Sequence, residues 1–289
     1  MPTPLSDQIQ SFYDASSGLW EQIWGEHMHH GYYGPTGTLR KDRRQAQIDL
    51  IDECLRWAKV TQAADMTDIL DCGCGIGGSA LELATRFNAR VTGITLSPVQ
   101  AKRATERAEA AGLAGDSAPC ASFQVANALQ TPFADESFDF IWSMESGEHM
   151  PNKAGFLQEC HRILKPGGKL LMVTWCHRPT DSLAGPLTAA ERGQLDWIYR
   201  VYGLPYVLSL PDYQTIAENA GFQQIQTADW SQAVAPFWDE VIASAFSWEA
   251  LMGLVQAGPE TIQGALALWP MRQGLYGGLI RYGLLQATR

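Results

Sequence analysis

The fold is decided by ten consecutive residues, Ile69-Leu70-Asp71-Cys72-Gly73-Cys74-Gly75-Ile76-Gly77-Gly78. The apolar run that begins at Met66 ends beside a carboxylate, a glycine-rich turn follows, and residues 78–87 have helical spacing. Glycine lets the backbone of such a turn approach a ligand closely, and the first peptide N–H groups of the following helix add partial positive charge. The stretch therefore predicts a strand, a turn and a helix around a bound small molecule.

The residues that follow repeat this alternation. Further strands are predicted at 90–96, 122–126, 138–143 and 169–175, with helices between them. One of these helices begins at Ser97-Pro98, an N-cap followed by a first-turn proline. Strands that alternate with helices indicate βαβ units, so the predicted class is α/β, with a doubly wound, mostly parallel sheet.

We expect four regions along the chain. Residues 1–60 are predicted to form a helical lid, 61–177 the ligand-binding core, 178–275 a helical substrate cap with part of the core, and 276–289 a closing edge strand. The first and third regions lack the strand–helix rhythm and are rich in aromatic residues. We therefore expect them to be mostly helical and to cover the sheet.

Charge excludes one class of partner. The formal net charge is −10, whereas binding to a nucleic-acid backbone needs clustered lysine and arginine. The dense basic run of Arg40, Lys41, Arg43 and Arg44 is better explained as a solvated helix face. We expect no nucleic-acid partner.

Cysteine spacing and hydropathy indicate the compartment. The six cysteines are scattered, and Cys72 and Cys74 have neither the spacing nor the partners of a zinc site, so we expect no metal and a reducing environment. The sequence shows neither a signal-peptide pattern nor an apolar stretch of about 18 residues that could span a bilayer. The expected location is cytoplasmic or peripheral to a membrane.

The glycine-rich turn is compatible with two cofactors. Gly75, Gly77 and Ala80 also satisfy a dinucleotide pattern, so a nicotinamide or flavin enzyme is the rival hypothesis. Asp71 would suit a cationic amino-acid group better than a pyrophosphate, and Thr95-Leu96-Ser97 lacks the acidic residue that a dinucleotide ribose needs. We predict S-adenosylmethionine. The candidate cofactor residues are Asp71, Gly73, Cys74, Gly75, Gly77, Thr95, Leu96, Gln100, Asn127, Ala128 and Ser143.

A polar cluster follows the fourth predicted strand. Glu145, Glu148 and His149 have i, i+3, i+4 spacing, which would place them on one face of a helical turn at the ligand-binding edge of the sheet. They are the candidate catalytic residues, with one acting as a base. The alternative is structural: Glu148 would cap or salt-bridge a loop, and His149 would be an ordinary buried histidine.

The N-terminal region carries aromatic and histidine residues that are predicted to fold over the cofactor. Trp20, Trp24 and His27 share a face if residues 16–28 are helical. His27, His29 and His30 cannot all face one ion on a regular helix, which argues against a metal site. The candidate substrate-binding residues are Trp20, Trp24, His27, His30, Tyr32, Trp175 and His177.

The segment Trp142-Ser143-Met144-Glu145-Ser146-Gly147-Glu148-His149-Met150-Pro151-Asn152-Lys153 resembles gamma-tocopherol methyltransferases, especially those of cyanobacteria. The resemblance also covers residues 13–20, 23–33, 93–100 and 174–178. It implies the seven-stranded, Rossmann-like sheet of class I S-adenosylmethionine methyltransferases. It also implies methylation of an aromatic ring carbon of gamma-tocopherol, giving alpha-tocopherol, with a small, prenylated aromatic molecule as the partner.

Three questions stay open at this point. Plant enzymes that N-methylate indoles keep most of these motifs, so an indole or another small aromatic acceptor is the alternative substrate, and a non-catalytic cofactor-binding module is a further one. The aromatic stretch from Trp230 to Leu284 is either core packing or a greasy surface for a phytyl tail, with peripheral membrane contact. A photosynthetic source would place the protein on the plastid or thylakoid side.

Overall fold

A computed structural model describes residues 10, 14, 25–60, 66–181, 183–245 and 259–289 of the chain. Trp20 and Trp24 lie outside the described residues. The described strands are β1 (Asp68–Cys72), β2 (Arg90–Thr95), β3 (Cys120–Val125), β4 (Phe138–Met144), β5 (Leu164–His177), β6 (Gln223–Asp229) and β7 (Ile280–Thr288).

The described helices lie between and beyond these strands. They are α1 (Arg43–Trp57), α2 (Gly78–Phe87), α3 (Pro98–Ala110), α4 (Lys153–Ile163), α5 (Ala189–Tyr202), α6 (Leu210–Asn219), α7 (Ser231–Val234), α8 (Pro236–Ala245) and α9 (Pro259–Tyr276). Within the region expected to be a helical lid, residues 25–42 form an irregular segment rather than a helix. No helix in the described part of the chain is long and apolar enough to cross a membrane.

The seven strands form one sheet in the order β3-β2-β1-β4-β5-β7-β6. The pairs among β1 to β5 are parallel, and β7 pairs antiparallel with both β5 and β6. The predicted α/β class and doubly wound, mostly parallel sheet are confirmed. Because β2 and β4 flank β1 on opposite sides, the strand order reverses at β1, and open sheets of this type bind ligands at such a point.

The final strand is not at the edge of the sheet, so that expectation is wrong. β7 is hydrogen-bonded on both sides, and most of its side chains are buried, as an interior strand requires. The edge strand on this side of the sheet is β6, which lies inside a region predicted to be mostly helical. Its sequence, QQIQTAD, is polar and largely exposed, so it lacks the apolar alternation that indicates a strand.

The sheet buries side chains on both faces. In β4, Phe140, Trp142 and Met144 belong to one hydrophobic cluster, whereas Ile141 between them belongs to the cluster on the opposite face. This alternation follows from the two-residue repeat of a strand. Both faces are covered, so the polar groups that follow the strands are left at the carboxyl edge of the sheet.

Candidate functional site

A cavity lies at the carboxyl edge of the sheet, where the strand order reverses. It is bounded by the turns that follow β1, β2, β3 and β4 and by part of the irregular N-terminal segment. Nine of the predicted cofactor residues line it: Asp71, Gly73, Cys74, Gly75, Thr95, Leu96, Gln100, Asn127 and Ala128. Elements far apart in the chain thus form one site.

Two predicted cofactor residues have supporting positions instead. Gly77 precedes α2 in a left-handed conformation and packs against Phe123. Ser143 is fully buried, and its hydroxyl is 2.8 Å from that of Ser146, which donates to the carbonyl of Cys72 at 2.6 Å. Both residues shape the turns around the cavity without lining it.

Gly73 shows why the turn after β1 needs glycine. Its φ is +86°, in the left-handed region, and a Cβ atom there would lie 2.7 Å from the Ser146 hydroxyl. The turns after β1 and β4 can therefore approach closely only without a side chain at this position. This contact joins the turn that carries Asp71 to the turn that carries Glu145 and His149.

Asp71 carries the main electrostatic feature of the cavity. Burial raises the pKa of its carboxyl group from 3.8 to about 7, although the backbone N–H of Ala80 donates a hydrogen bond to it. Its Oδ2 is buried and has no hydrogen-bond partner among the described residues. A carboxylate in this state gains from a cationic partner. The donor set therefore fits the positively charged amino-acid group of S-adenosylmethionine.

Polar contacts organise the turns after β2 and β3. The Thr95 hydroxyl donates to Oε1 of Gln100 at 2.7 Å, and the Ser97 hydroxyl caps α3 and donates to Asp14. After β3, the amide oxygen of Asn127 accepts the N–H of Leu129 at 2.9 Å. One lone pair of that oxygen is therefore used by its own turn, and the second can accept the adenine amino group.

The predicted acceptor cluster does not form one helical face, so that expectation is wrong. Glu145 has a left-handed φ of +50°, and only Gly147–His149 form a short 3₁₀ helix. The carboxylate of Glu145 contacts His30, whereas that of Glu148 accepts the Thr174 hydroxyl at 2.8 Å. A tight turn replaces the helical turn that the spacing indicated.

Glu148 lies beneath the cavity rather than in it. Burial raises the pKa of its carboxyl group to about 8, with a smaller contribution from Glu145. The ammonium of Lys153, whose own pKa burial lowers to about 7, donates to the backbone carbonyls of Gly147 and Glu148. These contacts hold the turn that carries the other two candidates.

Glu145 and His149 both line the cavity. Burial lowers the pKa of His149 to about 3, so its imidazole is neutral near pH 7 and one of its ring nitrogens carries a lone pair. Burial alone would raise the pKa of Glu145, but the adjacent His30 ring holds it below its ordinary value. Glu145 is therefore an ionised carboxylate.

The N-terminal segment crosses the cavity. We call Glu26–His30 the strap. Glu26, His27, Met28 and His29 line the cavity, and a Cβ atom on Gly75 would be 3.7 Å from the sulfur of Met28. The sequence predicts His27 as a substrate-binding residue and His29 only as one of the histidines that fold over the cofactor. It does not single out Glu26 or Met28, although both lie in a stretch that carries the family resemblance.

Other predicted substrate residues lie outside the cavity lining. The His30 ring packs 4.7–5.9 Å from the rings of Phe237, Tyr282, Trp238 and Trp175. Tyr32 packs against Trp230 at 5.4 Å. His177 donates from its ring to the carbonyl of Arg178. Trp175 and His30 thus belong to an aromatic cluster beside Glu145, whereas Tyr32 and His177 contact other groups.

Comparison with known proteins identifies the chain's relatives. A methyltransferase domain family matches residues 70–172. Tocopherol O-methyltransferase of Arabidopsis thaliana is 46% identical over 99% of this chain and 82% of its own length. A 2-methyl-6-phytyl-1,4-hydroquinone methyltransferase of Synechocystis is 34% identical over 98% of this chain and 88% of its own length. Norajmaline N-methyltransferase of Rauvolfia serpentina is 32% identical over 95% of this chain and 94% of its own length.

Solved structures share the fold. The [4+2]-cyclase SpnF superposes with a TM-score of 0.81 at 25% identity, over all of this chain and 98% of its own. A geranyl diphosphate C-methyltransferase of Streptomyces coelicolor, crystallised with S-adenosylhomocysteine, has a TM-score of 0.75 at 21% identity over 99% and 98%. The predicted cofactor and enzyme class are confirmed. The chain belongs to the tocopherol methyltransferase family of S-adenosylmethionine-dependent methyltransferases.

Proposed function

We propose that this protein transfers the methyl group of S-adenosylmethionine to a ring carbon of gamma-tocopherol, giving alpha-tocopherol. The observation that carries the proposal is its similarity, over nearly the whole chain, to proteins named for tocopherol and for a phytyl hydroquinone. The name of the Arabidopsis relative specifies an O-methyltransferase. Carbon methylation rests on the resemblance at residues 142–153, and the product decides between the two atoms.

S-adenosylmethionine supplies a methyl group that is electrophilic without further activation. The main task of the chain is therefore to position the acceptor in line with that group. The ring carbon that gains the methyl group loses its hydrogen as a proton. Removing the proton of the phenol hydroxyl makes this carbon more nucleophilic, so a base beside the hydroxyl contributes about 10²–10⁴-fold.

We assign the base to His149. It lines the cavity, and its neutral imidazole has a lone pair that can accept a hydrogen bond from the phenol hydroxyl. Because burial makes the ring a weak base, its role is to polarise the O–H bond while the ring carbon attacks the methyl group. Glu145 is less suitable because both of its oxygens already accept hydrogen bonds, and Glu148 is less suitable because it faces Thr174 beneath the turn. The two glutamates would support the turn that carries the base.

The cavity wall supports an apolar acceptor. Met28, Met144 and Met150 line it alongside the polar residues, and flexible methionine side chains adapt to flat rings. The aromatic cluster that contains Trp175 lies next to Glu145 and His30. These surfaces suit a prenylated aromatic ring better than a charged small molecule.

An indole nitrogen is the second candidate acceptor. The specific observation that favours it is the 32% identity to a norajmaline N-methyltransferase over 95% of this chain. An indole nitrogen presents a different atom in a similar aromatic slot. The same base would then act on an N–H group, or would not be needed at all.

Peripheral membrane contact is part of the proposal for a lipophilic acceptor, on the plastid side if the source is photosynthetic. On α9, Trp269 and Tyr276 are 54% and 51% exposed, and the Arg272 guanidinium lies over both rings at 5.4 and 4.6 Å. Exposed aromatic and cationic side chains suit the membrane–water interface. Replacing Trp269 by alanine should reduce the fraction of protein that sediments with liposomes, without altering the affinity for S-adenosylhomocysteine. Equal sedimentation of variant and wild type would contradict this contact.

The experiment that tests the function compares acceptors. Purified protein is incubated with S-adenosylmethionine and gamma-tocopherol, a phytyl hydroquinone or a panel of indoles, and kcat/KM is measured for each. We expect the highest value for gamma-tocopherol. A clear preference for an indole would replace the proposal with the second candidate. Cofactor binding without methylation of any acceptor would favour a non-catalytic binding module.

A further inference from the structure

Glu145 joins three distant parts of the chain. Its Oε1 accepts the backbone N–H of His30 at 2.8 Å and the hydroxyl of Tyr282 at 2.7 Å, and its Oε2 accepts the His30 ring N–H at 2.8 Å. His30 is the last residue of the strap, and Tyr282 lies on β7. One carboxylate thus connects the strap, the turn after β4 and strand β7.

The strap is also held at its other end and along its length. Arg107 on α3 donates to the carbonyl of Glu26 at 3.0 Å and to that of Ile76 at 2.8 Å. Gln47 on α1 donates to the carbonyls of His27 and His29. Unlike Arg107 and Gln47, Glu145 both lines the cavity and accepts hydrogen bonds from the strap. The position of the strap and the binding of a ligand in the cavity can therefore affect one another through this side chain.

The strap also contains a buried histidine that lines the cavity. His29 lines the cavity, and its Nδ1 is 2.8 Å from the carbonyl of His30, so Nδ1 carries the proton and Nε2 is left with a lone pair. This Nε2 is buried and has no hydrogen-bond partner among the described residues. Displacing the strap would remove His29 and Met28 from the cavity wall.

The buried surroundings of Glu145 make the loss of any of its hydrogen bonds costly. The His30 and Tyr282 rings pack against one another 5.1 Å apart, and the carboxylate is shielded from water. A buried carboxylate that loses a donor incurs a large desolvation cost, so the closed arrangement needs all of its donors. With its lone pairs directed at His30 and Tyr282, Glu145 is a poor proton acceptor and a good anchor.

We propose that Glu145 is a positioning residue that, together with Tyr282, fastens the strap over the cofactor cavity and so slows release of the cofactor product. The inference rests on the cofactor site and not on which acceptor is methylated. It predicts that loosening Glu145 raises the dissociation constant and the dissociation rate of S-adenosylhomocysteine. With acceptor saturating, KM for S-adenosylmethionine should rise more than kcat falls.

The first test uses a matched pair of tyrosines. Tyr282→Phe removes one hydrogen-bond donor to Glu145. Tyr33→Phe removes a matching donor: the Tyr33 hydroxyl donates to Glu240 at 2.8 Å, and neither residue lines the cavity. Calorimetry and stopped-flow kinetics with S-adenosylhomocysteine should show about a tenfold weaker and faster-dissociating complex for Tyr282→Phe. Tyr33→Phe should bind like wild type. Wild-type binding by both variants would overturn the inference.

The second test varies the carboxylate itself. Glu145→Ala should weaken S-adenosylhomocysteine binding more than Tyr282→Phe does, and Glu145→Gln should recover part of the loss because its amide oxygen still accepts hydrogen bonds. A purely structural role would lower the thermal stability of these variants and leave the dissociation rate of the folded protein unchanged, which would refute the proposal. If Glu145→Ala does not fold, the tyrosine pair decides alone. Because no acceptor is present, failure of gamma-tocopherol as a substrate would not affect these results.

Discussion

Cofactor affinity should depend on pH through Asp71. This carboxyl group has a pKa of about 7 in the folded protein without ligand, and a cationic partner binds its ionised form. The ionised fraction is about one half at pH 7, one eleventh at pH 6 and one hundredth at pH 5. Affinity for S-adenosylmethionine should therefore fall about fivefold from pH 7 to 6 and about 50-fold from pH 7 to 5. Binding at pH 6 should release about 0.9 proton.

Other groups in the cavity do not follow this course. Burial lowers the pKa of both His27 and His149 to about 3, so both stay neutral between pH 5 and 7. The amino group of the cofactor titrates near pH 8 and stays charged in this window. Lys153, beneath the turn after β4, also has a pKa of about 7 but does not line the cavity, so the Asp71→Asn variant is needed to assign the slope to Asp71.

Titration calorimetry in two buffers of different ionisation enthalpy measures both affinity and proton release. Asp71→Asn is the control: it should bind weakly at every pH, with no slope and no proton release. Thermal unfolding at each pH verifies that the protein is folded. An affinity that is constant from pH 5 to 7, or a slope that persists in the Asn variant, would refute the assignment of Asp71 to the cationic group.

Three further predictions follow from the same site. His149→Gln should lower kcat for gamma-tocopherol about 10²-fold and leave S-adenosylhomocysteine affinity nearly unchanged, whereas an unaltered rate would remove His149 as the base. The pKa of Glu148 is about 8 in the folded state and about 4.5 in the unfolded state, so the folded state holds its proton more tightly and the free energy of unfolding should fall as pH rises between these values. Denaturant titrations should show a smaller pH slope for Glu148→Gln. A Cβ atom on Gly78 would collide with the Glu26 carbonyl and lie 2.8 Å from His27 Nδ1, so Gly78→Ala should displace the strap and weaken S-adenosylhomocysteine binding about tenfold. The control is Gly193→Ala on α5, where a Cβ atom meets open space. This variant should leave binding unchanged and add about 0.5–1 kcal/mol to the free energy of unfolding.

The cofactor half of the site was predictable because its signal is local. The turn after β1 needs glycine at positions close in sequence, and a strand of apolar residues leads into it. Thr95 and Asn127 were reached by counting strand ends, since parallel strands bring their carboxyl ends to one edge. Ser143 stays a prediction as a cofactor residue: it does not line the cavity, and its hydroxyl contacts that of Ser146, a contact that sequence spacing does not reveal.

The acceptor half depends on tertiary contacts that no spacing reveals. The i, i+3, i+4 pattern at Glu145, Glu148 and His149 assumes a helix, whereas the left-handed backbone at Glu145 sends the three side chains in different directions. Tyr282 carries no motif, and it reaches Glu145 only because β7 inserts next to β5. That insertion also explains the misplaced edge strand, since β6 is too polar to be recognised from its pattern.

An isotope-labelled methyl group shows which atom of the acceptor this protein methylates. Purified protein is incubated with gamma-tocopherol and S-adenosylmethionine carrying ¹³C in its methyl group, and the product is analysed by mass spectrometry and ¹³C NMR. We expect one added label on a ring carbon, giving alpha-tocopherol with a free hydroxyl. A label on the phenol oxygen would contradict carbon methylation, and no label in gamma-tocopherol, with an indole labelled instead, would contradict the proposed substrate.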